Sequence, residues 1–181
     1  LAILYGSFLV TRPEVVAPPL SDHVPDQTPG IFPLLFVTIA CGAISGFHGV
    51  VSSGTSSKQL DKETDARFVG YFGAVGEGLL ALGTIIATTS GFKTAADWEA
   101  VYNEWNAGGV EAFVQGGGSL MNEGLGVPTS LSATILATMA VLFAATTMDS
   151  GVRLQRMVVS EAAELMGIKL SGLVATIIAV G

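Results

Sequence analysis

The sequence predicts an all-α protein, a polytopic transmembrane helix bundle with three complete spans and two partial terminal spans. Half of its 181 residues are hydrophobic and 13% are charged, which is about half the charged share of an ordinary soluble domain. The charges lie in clusters, and the apolar runs between them approach the roughly 20 residues of a membrane-crossing helix. The alternative is a set of buried helices in a large soluble α protein, but none of the three runs shows the polar stripe of such helices.

Composition also excludes other classes of protein. The chain is too apolar and too weakly charged for a disordered segment. Its 15 acidic residues outnumber its eight basic ones, so a nucleic-acid partner is not expected. Cys41 is the only cysteine, which excludes a disulfide scaffold. With two histidines far apart along the chain, the sequence offers no metal-ligand motif, and neither a metal nor a cofactor is expected.

The three complete spans are predicted where charged residues are missing. Two of the runs, of 21 and 18 residues, contain no charge, and the third has 25 residues with one charge, Glu77. Apolar stretches at the two ends are interpreted as partial spans, so residues 1–181 are expected to be an internal fragment of one larger transmembrane domain. The predicted spans are residues 1–11 (partial), 31–51, 68–92, 131–148 and 170–181 (partial).

The four segments that connect the spans alternate in their number of basic residues. In chain order they contain one, three, one and three Lys or Arg residues. Basic residues concentrate in the cytoplasmic loops of multi-spanning proteins, so the second and fourth segments are predicted to be cytoplasmic and the other two external. The net charge of −7 then divides into −2 and −4 on the external segments, zero on both cytoplasmic ones, and −1 from Glu77.

The third connecting segment is predicted to contain a helix over about residues 95–106. Thr94 opens a capping-box pattern, and an apolar stripe follows at helical spacing. This helix either lies at the outer membrane interface, where tryptophan is enriched, or packs against a part of the protein outside this sequence. The stripe consists of Trp98, Val101, Tyr102 and Trp105.

Two further features are predicted around the last complete span. The glycine run at residues 116–118 is expected to form a flexible turn before it. After it, Asp149 is expected to cap a cytoplasmic helix over about residues 150–166. Asp149 and Arg153 can also pair across one helical turn, and we assign them as a structural ion pair.

The second half of the span at residues 31–51 is rich in glycine. Gly42 and Gly46 have the small-xxx-small spacing that lets another helix approach closely, so helix packing is one interpretation. A glycine-broken helix is the other, since each glycine weakens a helix by about 1 kcal/mol relative to alanine. Unwound backbone at membrane depth is tolerated where it is buried in protein or lines a cavity. Transporters use such breaks to direct free N–H groups at an anionic substrate.

Two side chains inside complete spans are candidates for proton binding. His48 is the only histidine in a span, and imidazole changes its charge near physiological pH. It relays protons or binds a carboxylate, or else it is a neutral residue hydrogen-bonded between helices. Glu77 is the only formal charge in a complete span. Intramembrane carboxylates mark ion and proton pathways, although Glu77 can also be a structural partner for a basic residue on another helix.

These same residues resemble the signature of the carbon starvation protein A family. Residues 38–48 read Thr-Ile-Ala-Cys-Gly-Ala-Ile-Ser-Gly-Phe-His, and Ser-Ser-Gly-Thr at 52–55 and Lys58 follow. Glu63, the Gly-Tyr pair at 70–71 and Glu77 continue the similarity. Residues 147–156 are similar to a second family stretch, T-x-D-[TS]-x-x-R-L-x-R. The sequence departs from the family pattern around residues 13–29 and just after residue 71.

The resemblance implies a secondary transporter of the bacterial or archaeal inner membrane, related to transporters with inverted repeats and broken helices. Family members are associated with peptide uptake under carbon starvation, and some with proton-coupled pyruvate uptake. We therefore expect this protein to import peptides or small carboxylates such as pyruvate, with His48 and Glu77 handling the coupling proton. The substrate is expected to bind at the glycine-broken helix, through Ser45, Gly46, Phe47, His48, Ser52, Ser53 and Thr55.

The expected partners are the lipid bilayer, the remaining helices of the full-length transporter and a small-molecule substrate. No catalytic residue is assigned, and the protein is not expected to be an enzyme. A membrane sensor or scaffold without transport activity is the alternative function. In that case the helices at 95–106 and 150–166 would be docking surfaces for partner proteins.

Overall fold

A computed structural model describes residues 1–21, 24–25, 28–44, 46–103 and 108–180. The residues in these ranges form helices and connecting segments with no β-strand among them, and the predicted all-α class is confirmed. A π-helical turn, Ala40–Ile44, follows the second helix, and a 3₁₀ turn, Ser56–Gln59, follows the third. The helices are α1 (Ala2–Thr11), α2 (Ile31–Ile39), α3 (Phe47–Gly54), α4 (Asp65–Ser90), α5 (Ala95–Val101), α6 (Gly108–Leu125), α7 (Thr129–Leu165) and α8 (Gly172–Val180).

Among the described residues, three helical stretches are long and apolar enough to cross a membrane: Ile31–Gln59, Asp65–Ser90 and Thr129–Leu165. Each overlaps one of the three spans predicted from missing charge, and two of them extend well beyond the predicted bounds. No more than 11% of their most apolar windows is buried by the rest of the chain. A helix that is apolar on all sides suits lipid or other transmembrane helices rather than water, so this is a multi-pass membrane protein.

The chain divides into two compact units. The first comprises Leu1–Gly30 and Gly70–Val141, and the second comprises Ile31–Val69 and Leu142–Gly181. The first unit therefore contains α1, α5, α6, most of α4 and the start of α7. The second contains α2, α3, α8 and the remainder of α7.

Helix α6 forms the centre of the first unit, and the flexible turn predicted at residues 116–118 was wrong. The glycine run lies inside α6 and is itself buried, and Phe113, Leu120 and Met121 of the same helix are buried against residues of three other helices. Glycine runs favour turns locally. Here the missing side chains allow neighbouring helices to pack closely. Burial of nearby apolar residues of α6 then outweighs the low helix propensity of glycine. The core cluster consists of Leu4, Ala87, Phe113, Leu120, Met121 and Leu136.

The α6 glycines bring helix backbones into direct contact. A Cβ atom on Gly116 would overlap the carbonyl oxygen of Ala87 in α4. A Cβ atom on Gly124 would lie 2.6 Å from the Cα atom of Ser7 in α1. Because these neighbours are backbone atoms, they cannot move aside as the end of a flexible side chain can, and both positions require glycine.

We expect Gly124→Ala to destabilise the protein by roughly 1–3 kcal/mol, the usual cost of overpacking a well-packed core. Gly109→Ala is the matched control, because Gly109 lies in the same helix and, among the described residues, no atom other than those of its chain neighbours and its own helix backbone would come within 4 Å of its Cβ. That substitution should stabilise the helix by up to about 1 kcal/mol. Thermal unfolding of the purified full-length protein measures both changes. Equal midpoints for the two variants would contradict the close contact between α6 and α1.

Helix α5 begins as predicted and docks onto the end of α4. Thr94 caps it, since the Asp97 N–H donates to Thr94 Oγ1 at 3.2 Å. The Trp98 Nε1–H donates to the carbonyl oxygen of Thr88 at 3.0 Å, so the first residue of the apolar stripe contacts a helix of this same chain. The helix ends at Val101, before the predicted end at residue 106, and residues 104–107 lie outside the described ranges. Its position at the membrane interface stays a prediction.

The phenol of Tyr102, at the end of α5, lies beside the Trp98 ring, with 4.6 Å between the ring centroids. Burial raises the pKa of Tyr102 above its ordinary value, and a side-chain hydrogen bond with Thr88 acts in the opposite direction. The phenol is therefore neutral at physiological pH, and it adds an aromatic contact to the docking of α5.

Helix α7 is one continuous helix of 37 residues. The predicted cytoplasmic helix at 150–166 is its second half, and Asp149 does not cap a new helix there. The sequence from Thr129 to Leu165 contains no proline, so nothing removes a backbone donor at the expected boundary. Asp149 instead pairs with Arg153 one turn later, with Oδ2 and Nε 2.9 Å apart.

Candidate substrate site at a broken helix

The span Ile31–Gln59 is broken near its middle. Helix α2 ends at Ile39, the π-helical turn follows, and Gly46 has φ 72° and ψ 0° immediately before α3 begins. This left-handed conformation costs an L-residue with a side chain roughly 1–2 kcal/mol, whereas glycine adopts it freely. Of the two interpretations of the glycine-rich stretch, the glycine-broken helix is confirmed at Gly46.

The break leaves the first amide groups of α3 without partners inside that helix. The first bond of α3 runs from the Val50 N–H to the Gly46 carbonyl oxygen, at 3.0 Å. The N–H groups of Phe47, His48 and Gly49 therefore have no acceptor within α3. Together with the helix dipole, unpaired N–H groups make a helix N-terminus a binding site for anions.

His48 lies at this same helix start. Its side chain is exposed, and its ring lies edge-on to the half-buried ring of Phe47, with 5.6 Å between centroids and 80° between planes. Edge-to-face packing restricts the orientation of both rings. An accessible imidazole at this helix start can donate a hydrogen bond to a carboxylate.

The hydroxyl groups further along α3 are engaged with their own helix. Ser52 Oγ donates to the Gly49 carbonyl at 2.9 Å, Ser53 Oγ to Val50 at 3.2 Å, and Thr55 Oγ1 to Val51 at 2.7 Å. Each hydroxyl has one proton to donate, so these groups retain only acceptor capacity. In this conformation a substrate carboxylate would be held by the N–H groups and His48, not by these hydroxyls.

Of the predicted binding residues, the structure brings Gly46, Phe47 and His48 together at the start of α3 and places Ser52, Ser53 and Thr55 along and just beyond it. Ser45 lies outside the described residues. The sequence did not predict a contact at the far end of α3, where Met157 Cε lies 3.1 Å from the position of a Cβ on Gly54. This contact packs the second half of α7 against the end of the broken span.

Glu77 lies on α4 in the first unit, whereas His48 belongs to the second unit. The Glu77 side chain is exposed. Within the described ranges it has neither an ion pair nor a hydrogen bond. An unpaired carboxylate in a membrane span is available to bind a proton or to receive a partner from another helix.

The Asp149–Arg153 pair is an exposed pair within α7, with 64% and 46% of the two side chains accessible. Exposed pairs of this spacing stabilise a helix by about 0.3–0.5 kcal/mol. Within the described ranges no cluster of three or more His, Cys, Asp or Glu side chains could hold a metal ion.

The geometry defines a multi-pass membrane protein with a discontinuous helix, whose second half begins with three N–H groups that have no acceptor within α3. Comparison with known proteins then identifies the family. The profile of the family named carbon starvation protein CstA matches residues 1–103, more than half of the chain. The chain therefore belongs to this family, and the resemblance found in the sequence is confirmed. The second similar stretch, residues 147–156, lies beyond the matched range.

Curated relatives match part of the chain. It is 42% identical over 85 residues to the pyruvate/proton symporter BtsT of Escherichia coli K12, covering 45% of this chain and 12% of that protein. It is 43% identical over 83 residues to the peptide transporter CstA of the same strain, covering 44% and 12%. For the peptide transporter CstA of Helicobacter pylori J99 the identity is 46% over 89 residues, covering 43% and 13%.

The matched stretch thus covers about an eighth of the length of these relatives. Their names describe transporters, in agreement with the expected class of protein. No solved structure matches the chain.

Proposed function

We propose that this chain forms the broken-helix part of a secondary-active transporter that imports peptides or small carboxylates such as pyruvate. The observation that carries the proposal is the start of α3, where the left-handed conformation of Gly46 leaves three N–H groups, one of them that of His48, without an acceptor within α3. In a membrane span such groups are costly unless they have a ligand or a partner. An anionic substrate group satisfies them and gains from the helix dipole.

The names of the relatives support a carboxylate as the recognised group. One relative is a pyruvate symporter and others are peptide transporters. Pyruvate and peptides differ in size and polarity, but both carry a carboxylate. A site that recognises the carboxylate through backbone N–H groups serves either substrate. The choice between substrates then depends on side chains that surround the rest of the molecule.

The proposal includes coupling to protons and a location in the bacterial or archaeal cytoplasmic membrane. Apart from Cys41 and Tyr71, His48 and Glu77 are the titratable side chains within the complete spans, and ionisable residues in such spans mark proton pathways. Co-transport of a proton with a monovalent carboxylate moves no net charge, so a pH gradient alone can drive it. One relative is named a proton symporter.

Uptake by the full-length protein in proteoliposomes tests this function. With an alkaline interior, labelled pyruvate or a labelled dipeptide should accumulate, and a protonophore should abolish the accumulation. An excess of the unlabelled carboxylate should compete for uptake. Pyruvamide or a C-terminally amidated dipeptide should compete poorly, because the amide lacks the charge that the N–H groups attract.

The same measurement separates transport from the sensor or scaffold alternative. A scaffold would move none of the substrates at any pH gradient, although it would remain correctly inserted. If the amide and the carboxylate compete equally, the protein is still a transporter, but carboxylate recognition at the start of α3 is contradicted.

A further inference from the structure

Helix α4 has two lengthwise rows of residues in which steps of three and four residues alternate. Residues with this spacing line one side of a helix. The first row is packed within this chain. Leu4 Cδ2 of α1 lies 3.3 Å from the position of a Cβ on Gly83, and the Ala87 carbonyl lies against Gly116 of α6. This row consists of Leu80, Gly83, Ala87 and Ser90.

The second row, the small-residue seam, is covered by described residues only where it meets α5. There the Trp98 indole donates to the Thr88 carbonyl, and Tyr102 hydrogen-bonds with the Thr88 side chain. Thr84 and Thr88 are half-buried, whereas the rest of the seam is exposed. Among described residues, no atom besides chain neighbours and the helix's own backbone lies within 4 Å of a Cβ on Gly70. The seam consists of Gly70, Ala74, Glu77, Ala81, Thr84 and Thr88.

Lipid does not suit the small-residue seam. Glu77 lies near its middle, and carboxylates within a membrane face the interior of a helix bundle or a cavity rather than lipid. Another side of α4 carries exposed, bulky apolar side chains that do suit lipid, including Val75, Leu79 and Leu82. The seam is therefore a different kind of surface from the lipid-suited face on the same helix.

A water-filled pathway does not suit the seam either. The Thr84 hydroxyl donates to the Leu80 carbonyl and the Thr88 hydroxyl to the Thr84 carbonyl, both at 2.9 Å. Their protons are thus engaged within the helix. The glycine and alanine members have no polar side chain, so Glu77 is the one member of the seam that binds water strongly. Small residues instead let a second helix backbone approach closely.

We propose that a further transmembrane helix of the full-length protein packs along the small-residue seam and encloses Glu77. The contact continues the one that α5 already makes at Thr88. The covering helix presents small residues to the seam and a hydrogen-bond donor to the Glu77 carboxylate. The spacing of the seam suits the shallow crossing angle of about 20° that is common in membrane bundles. The matched stretch is only 12% of the symporter BtsT, so such relatives have room for many further spans.

Tryptophan substitutions at neighbouring positions test the proposal without a transport assay. Ala74→Trp and Ala81→Trp place a large ring on the seam and should lower the unfolding midpoint of the purified full-length protein by at least about 2 °C through overpacking. Val75→Trp and Leu82→Trp are the matched controls, because each lies one residue further on, on the lipid-suited face, and they should change the midpoint less. Misfolding of the seam variants alone also supports the proposal, whereas equal effects within each neighbouring pair would overturn it.

Small cysteine substitutions distinguish a covering helix from water and from a second copy of the chain. In a cysteine-free full-length protein, Ala74→Cys and Ala81→Cys should react with a charged, water-soluble thiol reagent only after denaturation. Reaction in the folded protein would show a water-filled pathway, and a disulfide-linked dimer would show a second copy on the seam. Either result would overturn the proposal. A second cysteine scanned along the remaining spans should form an intramolecular disulfide with Ala81→Cys on one of them, and the absence of any such disulfide would also overturn it.

Discussion

Gly46→Ala is expected to abolish substrate uptake, by at least about tenfold in rate, while the protein still folds and inserts. Alanine is disfavoured at φ 72° by roughly 1–2 kcal/mol, which corresponds to about a 5- to 30-fold change in a conformational equilibrium. The substitution also favours helical φ and ψ at this position, where alanine gains about 1 kcal/mol over glycine. Both effects close the break, and the N–H groups of α3 then bond to the preceding turn.

Two companion variants separate the break from helix packing. Gly42→Ala makes the same chemical change at a position with no positive φ, where the described part of the chain places no atom within 4 Å of the Cβ beyond its neighbours and its own helix backbone, so uptake should persist. Gly46→Asn should retain more uptake than Gly46→Ala, because asparagine tolerates the left-handed conformation better than alanine. If Gly46 mattered through its small size against another helix, the larger asparagine would be worse than alanine. Initial uptake rates in proteoliposomes with matched protein content show which of the two variants, Gly46→Asn or Gly46→Ala, retains more uptake.

The spans were predictable from the sequence because a membrane excludes charge along the whole length of a helix. Runs of 18 or more residues with at most one charge have few alternatives, and the helices found agree with them. The break was predictable only as one of two possibilities. The low helix propensity of glycine is visible in the sequence, but the left-handed φ of Gly46 depends on how the two half-helices are arranged.

Helix α6 shows why local signals can mislead. The glycines at residues 116–118 weaken a helix, and by propensity alone they indicate a turn. The missing Cβ atom of Gly116 instead lets α6 lie directly on the Ala87 carbonyl, as that of Gly124 does on Ser7, and these contacts join residues far apart in the sequence. The sequence also could not show that Ser52, Ser53 and Thr55 donate to carbonyls of their own helix. Serine and threonine in helices often do so, but they can equally donate to a ligand.

Loss of gradient-driven accumulation is the expected result of Glu77→Gln and of His48→Ala. With one proton carried per monovalent carboxylate, each unit of pH gradient supports tenfold accumulation, since tenfold corresponds to about 1.4 kcal/mol. A gradient of two units would thus support about 100-fold accumulation in the unaltered protein. Without the coupling proton the substrate can only equilibrate, and the ratio should fall towards one.

The two variants should differ in substrate exchange, which needs binding but no net proton movement. Glu77→Gln keeps the size of the side chain and, in our proposal, removes only the proton-binding group, so exchange of labelled for unlabelled substrate should continue. His48→Ala removes a group beside the proposed carboxylate site, so it should weaken exchange as well as coupling. Glu99→Gln is the matched control, because Glu99 is an exposed carboxylate on α5, outside the predicted spans. Unchanged accumulation in both Glu77→Gln and His48→Ala would refute their assignment as coupling residues, whereas loss of both activities in Glu77→Gln would indicate a structural role for that carboxylate.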